Sequence, residues 1–576
     1  MNNQDVARVF ETLAEALQLK GELVYKVQAY RKAANSILNL GRDINQVARA
    51  GELESIPGVG PAIAEKLTSL LSTGSFDLWD QVQREIPPGV LAMLHVPDVG
   101  PKRARLFWEH GISSVEELAD AARAGKLRDL PGMGPASEAK VVAAVELIGR
   151  RSERIPLGEA LPLAEELLAA VAAAPGVTRA EVGGSLRRRL ATIGDIDLLA
   201  AAEDAGPVMD AFSAHPRVAA VIARGPTKCT VQLHSGRQVD LRVLPPRQWG
   251  TLLQYFSGSQ AHNIHLRKLA LARGLSLSDQ AITEVKSGRE IHVAEEEGVY
   301  RRLGLAWMPP ELREDRGEIE AAAAGKLPEL VTLEDLRGDL QMHSTWSDGK
   351  ASIAEMAEAA VARKLKYILI TDHSQSLGVA GGLTPERVTR QRREIAAVNK
   401  RLGRRLRVLH GTEVEIRSDA TLDYPDELLA TLDVVVASLH TGLRQSREQV
   451  TRRMLAAIHN PHVDIIAHPT GRLLPDREPA DLDMEAVLRA AAETGTLMEI
   501  NADWHRLDLD DVYVKRAVEL GVRLVISSDA HHPDGVGDLA FGVAMARRGW
   551  ATAEDVMNTR PLSQFLKALN KAPRRA

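Results

Sequence analysis

Asp195 and Asp197 stand two residues apart in GDIDLLAA, and Asp240 lies in QVDLRVL, a second apolar run that reads as an adjacent strand. Period two on a strand puts Asp195 and Asp197 on one face. Three carboxylates on neighbouring strands suit two hard divalent cations and an in-line phosphoryl transfer. Upstream, GGSLRRR brings Gly184, Ser185, Arg187 and Arg188 before the acids. Backbone donors and guanidinium forks of that kind can cradle a triphosphate. A D-x-D alone is a common exposed strand. With GGS before it and D-L-R after it, the set becomes specific.

The last 240 or so residues carry a second pattern, in which seven short apolar runs each end in a metal-ligand type of residue. They end at or around His343, His373, Glu413, His440, His468, Glu499, and Asp529 with His531. Strands of a β/α barrel are buried on both faces and read as near-continuous apolar runs. Their C-terminal ends are where such barrels place chemistry. Any one of these histidines would more simply be a satisfied core residue. Seven strand ends in register instead predict one polynuclear metal site.

A third pattern repeats near the N-terminus: LESIPGVGPAIAEKL, LHVPDVGPKRARLF and LRDLPGMGPASEAKV. Each is an apolar lead, a tight turn, a proline and a helix. The turn glycines are Gly58 and Gly60, Gly100, and Gly132 and Gly134, with Asp98 replacing the first glycine of the middle copy. Such turns let a phosphate approach the backbone and aim free N–H groups at it from a helix N-terminus. They grip nucleic acid without reading its sequence. Asp98 places an anion where a phosphate should sit, so the middle copy is the weak one.

The elements that must position these groups follow from length and composition. A chain of 576 residues is too long for one core, so several domains are expected. A single cysteine, Cys229, excludes a disulfide framework and fits a reducing, cytoplasmic setting. The N-terminus reads as a polar amphipathic helix rather than a signal peptide, and no run reaches the length of a membrane span. The net charge of −5 argues against a simple basic footprint, so nucleic acid must be held by local geometry. Residues up to about 150 read as helical, 150–245 as a mixed sheet, 246–320 as helix with polar turns, and the barrel pattern starts near Arg337.

GGSLRR with GDIDLL, VDLRVLPP and LLQYFSGSQAHNIHLRKLA resemble the nucleotidyltransferase core of the family X (polymerase beta-like) DNA polymerases. The C-terminal motifs resemble a PHP (polymerase and histidinol phosphatase) domain, and the two in this order resemble a bacterial-type family X polymerase. The resemblance implies a multidomain α/β and α+β fold. A helical lyase-like, 5′-phosphate-binding domain with the first helix-hairpin-helix would occupy 1–90, and fingers with further hairpins 91–155. A palm would follow at 156–245, a thumb at 246–320, a linker at 321–336, and a distorted PHP barrel of about seven strands at 337–576. It implies a monomeric gap-filling DNA polymerase acting on gapped or primer-template DNA and dNTPs, with a metal-dependent 3′-5′ exonuclease or phosphodiesterase in the barrel.

It also implies roles. Asp195, Asp197 and Asp240 would hold Mg²⁺ or Mn²⁺, and Asp240 would accept the primer 3′-OH proton. Gly184, Ser185, Arg188 and Gly194 would contact the triphosphate. Tyr255, Phe256 and Gly258 would form the turn beside the incoming sugar, with Asn263 and Arg267 facing the nascent pair. Lys66 falls at the lyase nucleophile's position, with Lys26 and Tyr30 accessory. His343, Asp348, His373, Glu413, His440, His468, Asp529 and His531 would bind Mn²⁺ or Zn²⁺. The sequence departs from the family at Ala62, where some relatives have a second lysine, at Gln260, which replaces an acid, and at Gln341. The last stands where the first histidine of an H-x-H is expected, and an amide oxygen is a weaker ligand for zinc-like metals. Glu499 matches no ligand position, and His410, His505 and His532 read as supporting or bland. A polymerase with a purely structural or DNA-docking barrel is the competing reading.

Overall fold

Val6, Phe10, Leu13 and Leu17 recur at helical spacing along the Asn3–Leu19 helix, and all four are buried. The computed structural model describes residues 1–569 apart from 2, 39, 41, 97–98, 135–137, 139–140 and 142–153. The chain divides into two units, Met1–Glu153 with Ser235–Arg237, and Arg154–His234 with Gln238–Ala576. Phe10 centres the first unit, its ring 5.9 Å from those of Tyr30 and Phe76. Two of the hairpin helices, Pro61–Thr73 and Pro101–Glu109, start with proline directly after Gly60 and Gly100, and no side chain caps either one. Gly58 and Gly132 take φ of +86° and +74°, a conformation costly for any residue with a Cβ.

In the second unit a five-stranded sheet runs in the order Arg179–Val182, Ile196–Ala201, Gln238–Leu244, Lys228–Leu233, Val218–Arg224. The strand Ile196–Ala201 is apolar on both sides. Leu198 and Ala200 join the main core, while Leu199 and Ala201 pack with Trp249, Leu252 and Leu253 of the next helix. The Trp249–Ser257 and Gln260–Ala272 helices follow, then a three-stranded antiparallel sheet whose core surrounds Leu266 and Tyr300.

The barrel has seven parallel strands in sequence order, from Gly338–Met342 to Leu524–Ser527. A bridge between Met342 and Ala530, with His343 N donating to Ala530 O at 2.9 Å, brings the first and last strands together. Alternate residues fill the interior, among them Leu340, Leu369, Leu409, Val436, Ile465 and Val525. The Leu562–Ala568 helix adds Phe565, stacked on Tyr367, to that interior cluster. Apolar packing thus occupies the body of the barrel, and its polar side chains gather at the opposite, C-terminal strand ends.

The segment expected as a linker, 321–336, is not a free tether. Its start completes the Glu318–Ala323 helix, and Val331 is fully buried with its N–H donating to Ala551 O at 3.0 Å. Its apolar residues gain more from burial against the barrel than from solvent-exposed freedom.

Candidate functional site

In the palm, Asp197 and Asp240 are direct register partners on adjacent parallel strands. Asp195 sits one residue before the strand, exposed, rather than within it. Thr230 Oγ1 donates to Asp240 Oδ1 at 2.6 Å, and Lys228 Nζ lies 2.7 Å from Oδ2. Burial, with Asp240 and Asp195 beside it, lifts the Asp197 carboxyl to about 6. Three carboxylates gathered around two adjacent strands offer the all-oxygen donor set that suits hard divalent cations. The glycines upstream exist for this approach: a Cβ on Gly184, whose φ is +55°, would lie 2.5 Å from Asp197 Oδ2.

The remaining polymerase residues divide. Ser185 lies in the short Gly184–Arg187 helix over the acids, and Gly194 immediately precedes Asp195. Arg188 Nε donates to Glu314 at 2.9 Å and Nη1 to Ser257 O at 2.7 Å. Arg187 is taken up in a buried cluster with Glu296, Arg313 and Ser257 and braces palm to thumb. Phe256 lines the pocket holding Asp197 and Asp240, and its ring faces Tyr255 at 5.3 Å and Arg242 at 5.1 Å. Arg267 lies over Tyr255 at 5.5 Å. Asn263 turns inward: its amide donates to Tyr255 O at 2.8 Å and accepts from Gln254, and a Cβ on Gly258 would strike it. It holds the turn through one of its two N–H groups and its oxygen.

The barrel assembles all eight predicted ligands. Glu413 is the hub, within 3.3 Å of His343, His373 and His440 and 2.8 Å from His468 Nε2. Asp348 stands 3.5 Å from both His373 and His531, and Asp529 3.1 Å from His343. Three overlapping groups could each hold an ion: His343, Asp348, His373 and His531; His373, Glu413 and His440; and His343, Glu413 and Asp529. Burial alone would raise Glu413, but the imidazoles around it hold it well below the usual range. Burial would likewise lower His440, yet Glu413 and Glu415 outweigh it and lift the imidazole to about 9. Buried atoms without a hydrogen-bond partner concentrate here, including Gln341 Oε1, His343 Nδ1, His373 Nδ1, Glu413 Oε2 and His468 Nδ1. Each would cost about 1–3 kcal/mol if left unsatisfied, so the donor set fits cations. Gln341 is fully buried, its Nε2 3.2 Å from Asp529 Oδ1.

Several supporting groups escaped the sequence reading. Glu415 accepts from His440 Nδ1 at 2.9 Å, fixing which nitrogen faces the site. Arg506 reaches Asp529 at 3.3 Å and lines the cleft of about 290 Å³ with Arg477 and Val379. Glu415 had a signal, since it shares strand parity with Glu413. Arg506 lies in the loop after the sixth strand, where no period applies. Glu499 accepts from His468 N at 2.8 Å through Oε2, and its Oε1 is a further buried atom without a partner. His410 is buried away from the cluster and lowered to about 4 by burial and Arg392. His505 and His532 are exposed beside Asp503 and Asp534.

In the first unit, Gly60, Gly100 and Gly134 have open space where a Cβ would stand, as a phosphate approach requires. Asp98 lies outside the described residues. Lys66 is exposed and donates to Ala62 O at 3.0 Å, and Lys26 pairs with Glu22 at 3.1 Å. Tyr30 corrects the expectation of a DNA contact. It is only 5% exposed, its ring drawn into the Phe10 core at helical spacing.

Family models match the chain as a helix-hairpin-helix domain over residues 1–76 and a helix-hairpin-helix tandem over 90–146. A DNA polymerase beta thumb matches 252–314 and a PHP domain 339–503. The DNA polymerase/3′-5′ exonuclease PolX of Bacillus subtilis (strain 168) is 37% identical over 573 residues, 98% of this chain and 100% of that protein. A probable phosphatase of Thermoanaerobacter sp. (strain X514) is 30% identical over 37% of this chain and 87% of its own. DNA polymerase lambda of Rattus norvegicus is 24% identical over 54% of this chain and 56% of its own. With near full-length similarity to PolX and matches to the hairpin, thumb and PHP models, this chain belongs to the bacterial-type family X DNA polymerases with a C-terminal PHP domain.

Proposed function

We propose that this enzyme fills gaps in DNA through the Asp195, Asp197 and Asp240 site and removes 3′-terminal nucleotides through the barrel cluster. The observation that carries the first half is the register pairing of Asp197 with Asp240 under the Gly183–Ser185 turn. The observation that carries the second is the convergence of five histidines on Glu413, Asp348 and Asp529. Bound at either cluster, divalent cations supply positive charge to phosphoryl oxygens and acidify the attacking group. Oxygen-only donors in the palm suit Mg²⁺ or Mn²⁺, and the imidazole-rich barrel suits Mn²⁺ or Zn²⁺.

The chain's own residues do the rest. Thr230 and Lys228 hold Asp240 in one orientation, ready to accept the proton of a primer hydroxyl. Ser185, Arg188 and Gly194 bind the triphosphate of a dNTP, and Phe256 with Tyr255 walls the sugar. The hairpin turns hold the DNA backbone, and the protein works as a monomer. In the barrel, Arg506 and Arg477 place fixed positive charge beside the scissile phosphate, and Val379, 96% exposed on the rim, offers an apolar contact to the terminal base. Domain limits follow the sequence expectation, with 321–336 as a docked strap. Lys66 has no special environment, and lyase activity is not part of the proposal.

Primer extension and primer degradation on gapped DNA, with Mg²⁺ or Mn²⁺, test the reading. Asp240→Ala should lose extension and keep degradation, and His440→Ala should do the reverse. A His440→Ala protein that degrades DNA at the wild-type rate would favour the barrel as a structural or docking module.

A further inference from the structure

Arg548 ends the Leu539–Arg548 helix on the outside of the barrel, yet its guanidinium is directed into the polymerase. It is 4% exposed. Nη1 donates to the backbone oxygen of Arg188 at 2.7 Å and to Glu314 Oε1 at 3.0 Å. Nη2 donates to Asp511 Oδ2 at 2.7 Å, and Arg316 of the thumb meets the same oxygen at 2.9 Å. Glu314 Oε1 is also the acceptor for Arg188 Nε, and Arg188 Nη1 in turn holds Ser257 O, next to the Tyr255–Gly258 turn. One unbroken set of charge-assisted bonds therefore runs from a barrel helix, through a thumb acid, to the palm arginine beside the Gly184–Ser185 turn.

Three guanidiniums, those of Arg188, Arg316 and Arg548, face two carboxylates, Glu314 and Asp511, within a largely buried cluster. Asp511 and Glu314 are both held below the usual carboxylate range, burial being outweighed by these arginines. Asp510 adds a further carboxylate near Arg316, and Asp197 one near Arg188. Arg188 is the member of the cluster whose charge also reaches Asp197 of the palm.

We propose that Arg548 is a positioning residue for nucleotide binding: the nuclease barrel fixes, through Glu314, the arginine with which the polymerase site holds the triphosphate. This rests on the triphosphate role of Arg188 proposed above. A guanidinium held at two of its nitrogens has its remaining face oriented before the nucleotide arrives, which lowers the ordering cost of binding. By linkage, nucleotide binding and barrel docking then favour one another.

The test is steady-state gap filling by the full-length protein, with the dNTP concentration varied. Arg548→Met should raise the KM for dNTP about 5- to 20-fold, the range of an ordinary coupling between sites, while kcat changes less than about threefold. Exonuclease activity on single-stranded DNA should stay within about twofold. Glu314→Gln, which keeps shape and removes one charge, should act in the same direction, and Arg548→Lys should recover part of the loss. Because the effect passes through Arg188, Arg548→Met should add nothing in an Arg188→Ala background. If Arg188→Ala raises the KM but neither Arg548→Met nor Glu314→Gln does, the barrel does not position that arginine and the proposal is overturned. If Arg188→Ala itself leaves the KM unchanged, the triphosphate reading fails and takes the proposal with it.

Discussion

The palm and the barrel solve the problem of holding cations with opposite materials. The palm offers three carboxylates on and beside two central strands, with Asp195 exposed and Lys228 paired to Asp240. The barrel offers imidazoles packed ring against ring, His343 lying 4.2 Å from His531 and 4.5 Å from His373, around one buried glutamate. An oxygen site exchanges hard ions and admits a nucleotide that brings its own charge. A nitrogen-rich pit retains borderline ions and must shed protons to take them. The same chain thus separates synthesis from removal by ligand chemistry as well as by position.

The comparison breaks most sharply at the hubs. Asp240→Ala should lower extension by at least about 10³-fold, and Glu413→Gln should lower degradation by a similar factor, each sparing the other activity. Single-turnover assays on one gapped substrate would measure both; a cross-effect would mean that the sites are not independent. Metal held by the barrel should follow only the second change, since Glu413 touches four imidazoles.

A smaller effect should come from orientation. Glu415→Gln weakens the hold on His440 Nδ1 and should cost about 10–100-fold in barrel metal affinity, read by competition with a chelator, with extension unchanged.

Acidity separates the sites further. Without a metal, His440 carries its proton up to about pH 9, so binding Mn²⁺ must displace it. Between pH 7 and 8, barrel affinity should rise about tenfold for one displaced proton. Asp197, raised to about 6, is already deprotonated there, so palm affinity should be nearly flat and should fall only below pH 6. Calorimetric Mn²⁺ titrations of Asp240→Ala and His440→Ala proteins at several pH values would show whether the two slopes differ.

The smallest changes concern DNA grip and the altered corner. Gly58→Val with Gly60→Val should weaken DNA binding about evenly across sequences. The valine at 58 must leave a φ of +86° and meet the Lys32 stem, 2.7 Å from where its Cβ would stand. Sequence-dependent loss in a folded protein would refute a backbone grip. Gln341→His should tighten barrel metal binding a few-fold by replacing an amide with an imidazole. An unchanged ion count and affinity would place residue 341 outside the coordination sphere.

Period and residue type made much of this legible. Apolar runs ending in His, Asp or Glu located the barrel strands and its ligands, and D-x-D with QVDLRVL located the palm pair, because side-chain parity follows directly from strand geometry. The same rules put Asp195 inside the strand, one residue too far. Tyr30 was misplaced because a helical face says which residues share a side, not whether that side meets solvent or Phe10. The partners of Asn263, Gln254 and Tyr255 O, were not legible because they belong to a turn whose shape no spacing encodes. Arg548 and Glu314 lie 234 residues apart. Nothing local to either announces the other.

Gly158 opens the first palm helix, and a Cβ there would lie 2.2 Å from the Trp504 ring of the barrel. Palm residues such as Leu157 and Leu167 share one apolar cluster with barrel residues such as Val514 and Val543. The border near residue 336 is therefore a boundary of ancestry, not a seam at which the molecule comes apart. A chimaera that joins this palm to a relative's barrel must inherit Gly158 and its aromatic partner together. A barrel expressed alone would present a wide greasy face to water. Loss or exchange of the nuclease half in such a lineage would demand simultaneous repair of the polymerase surface beneath it.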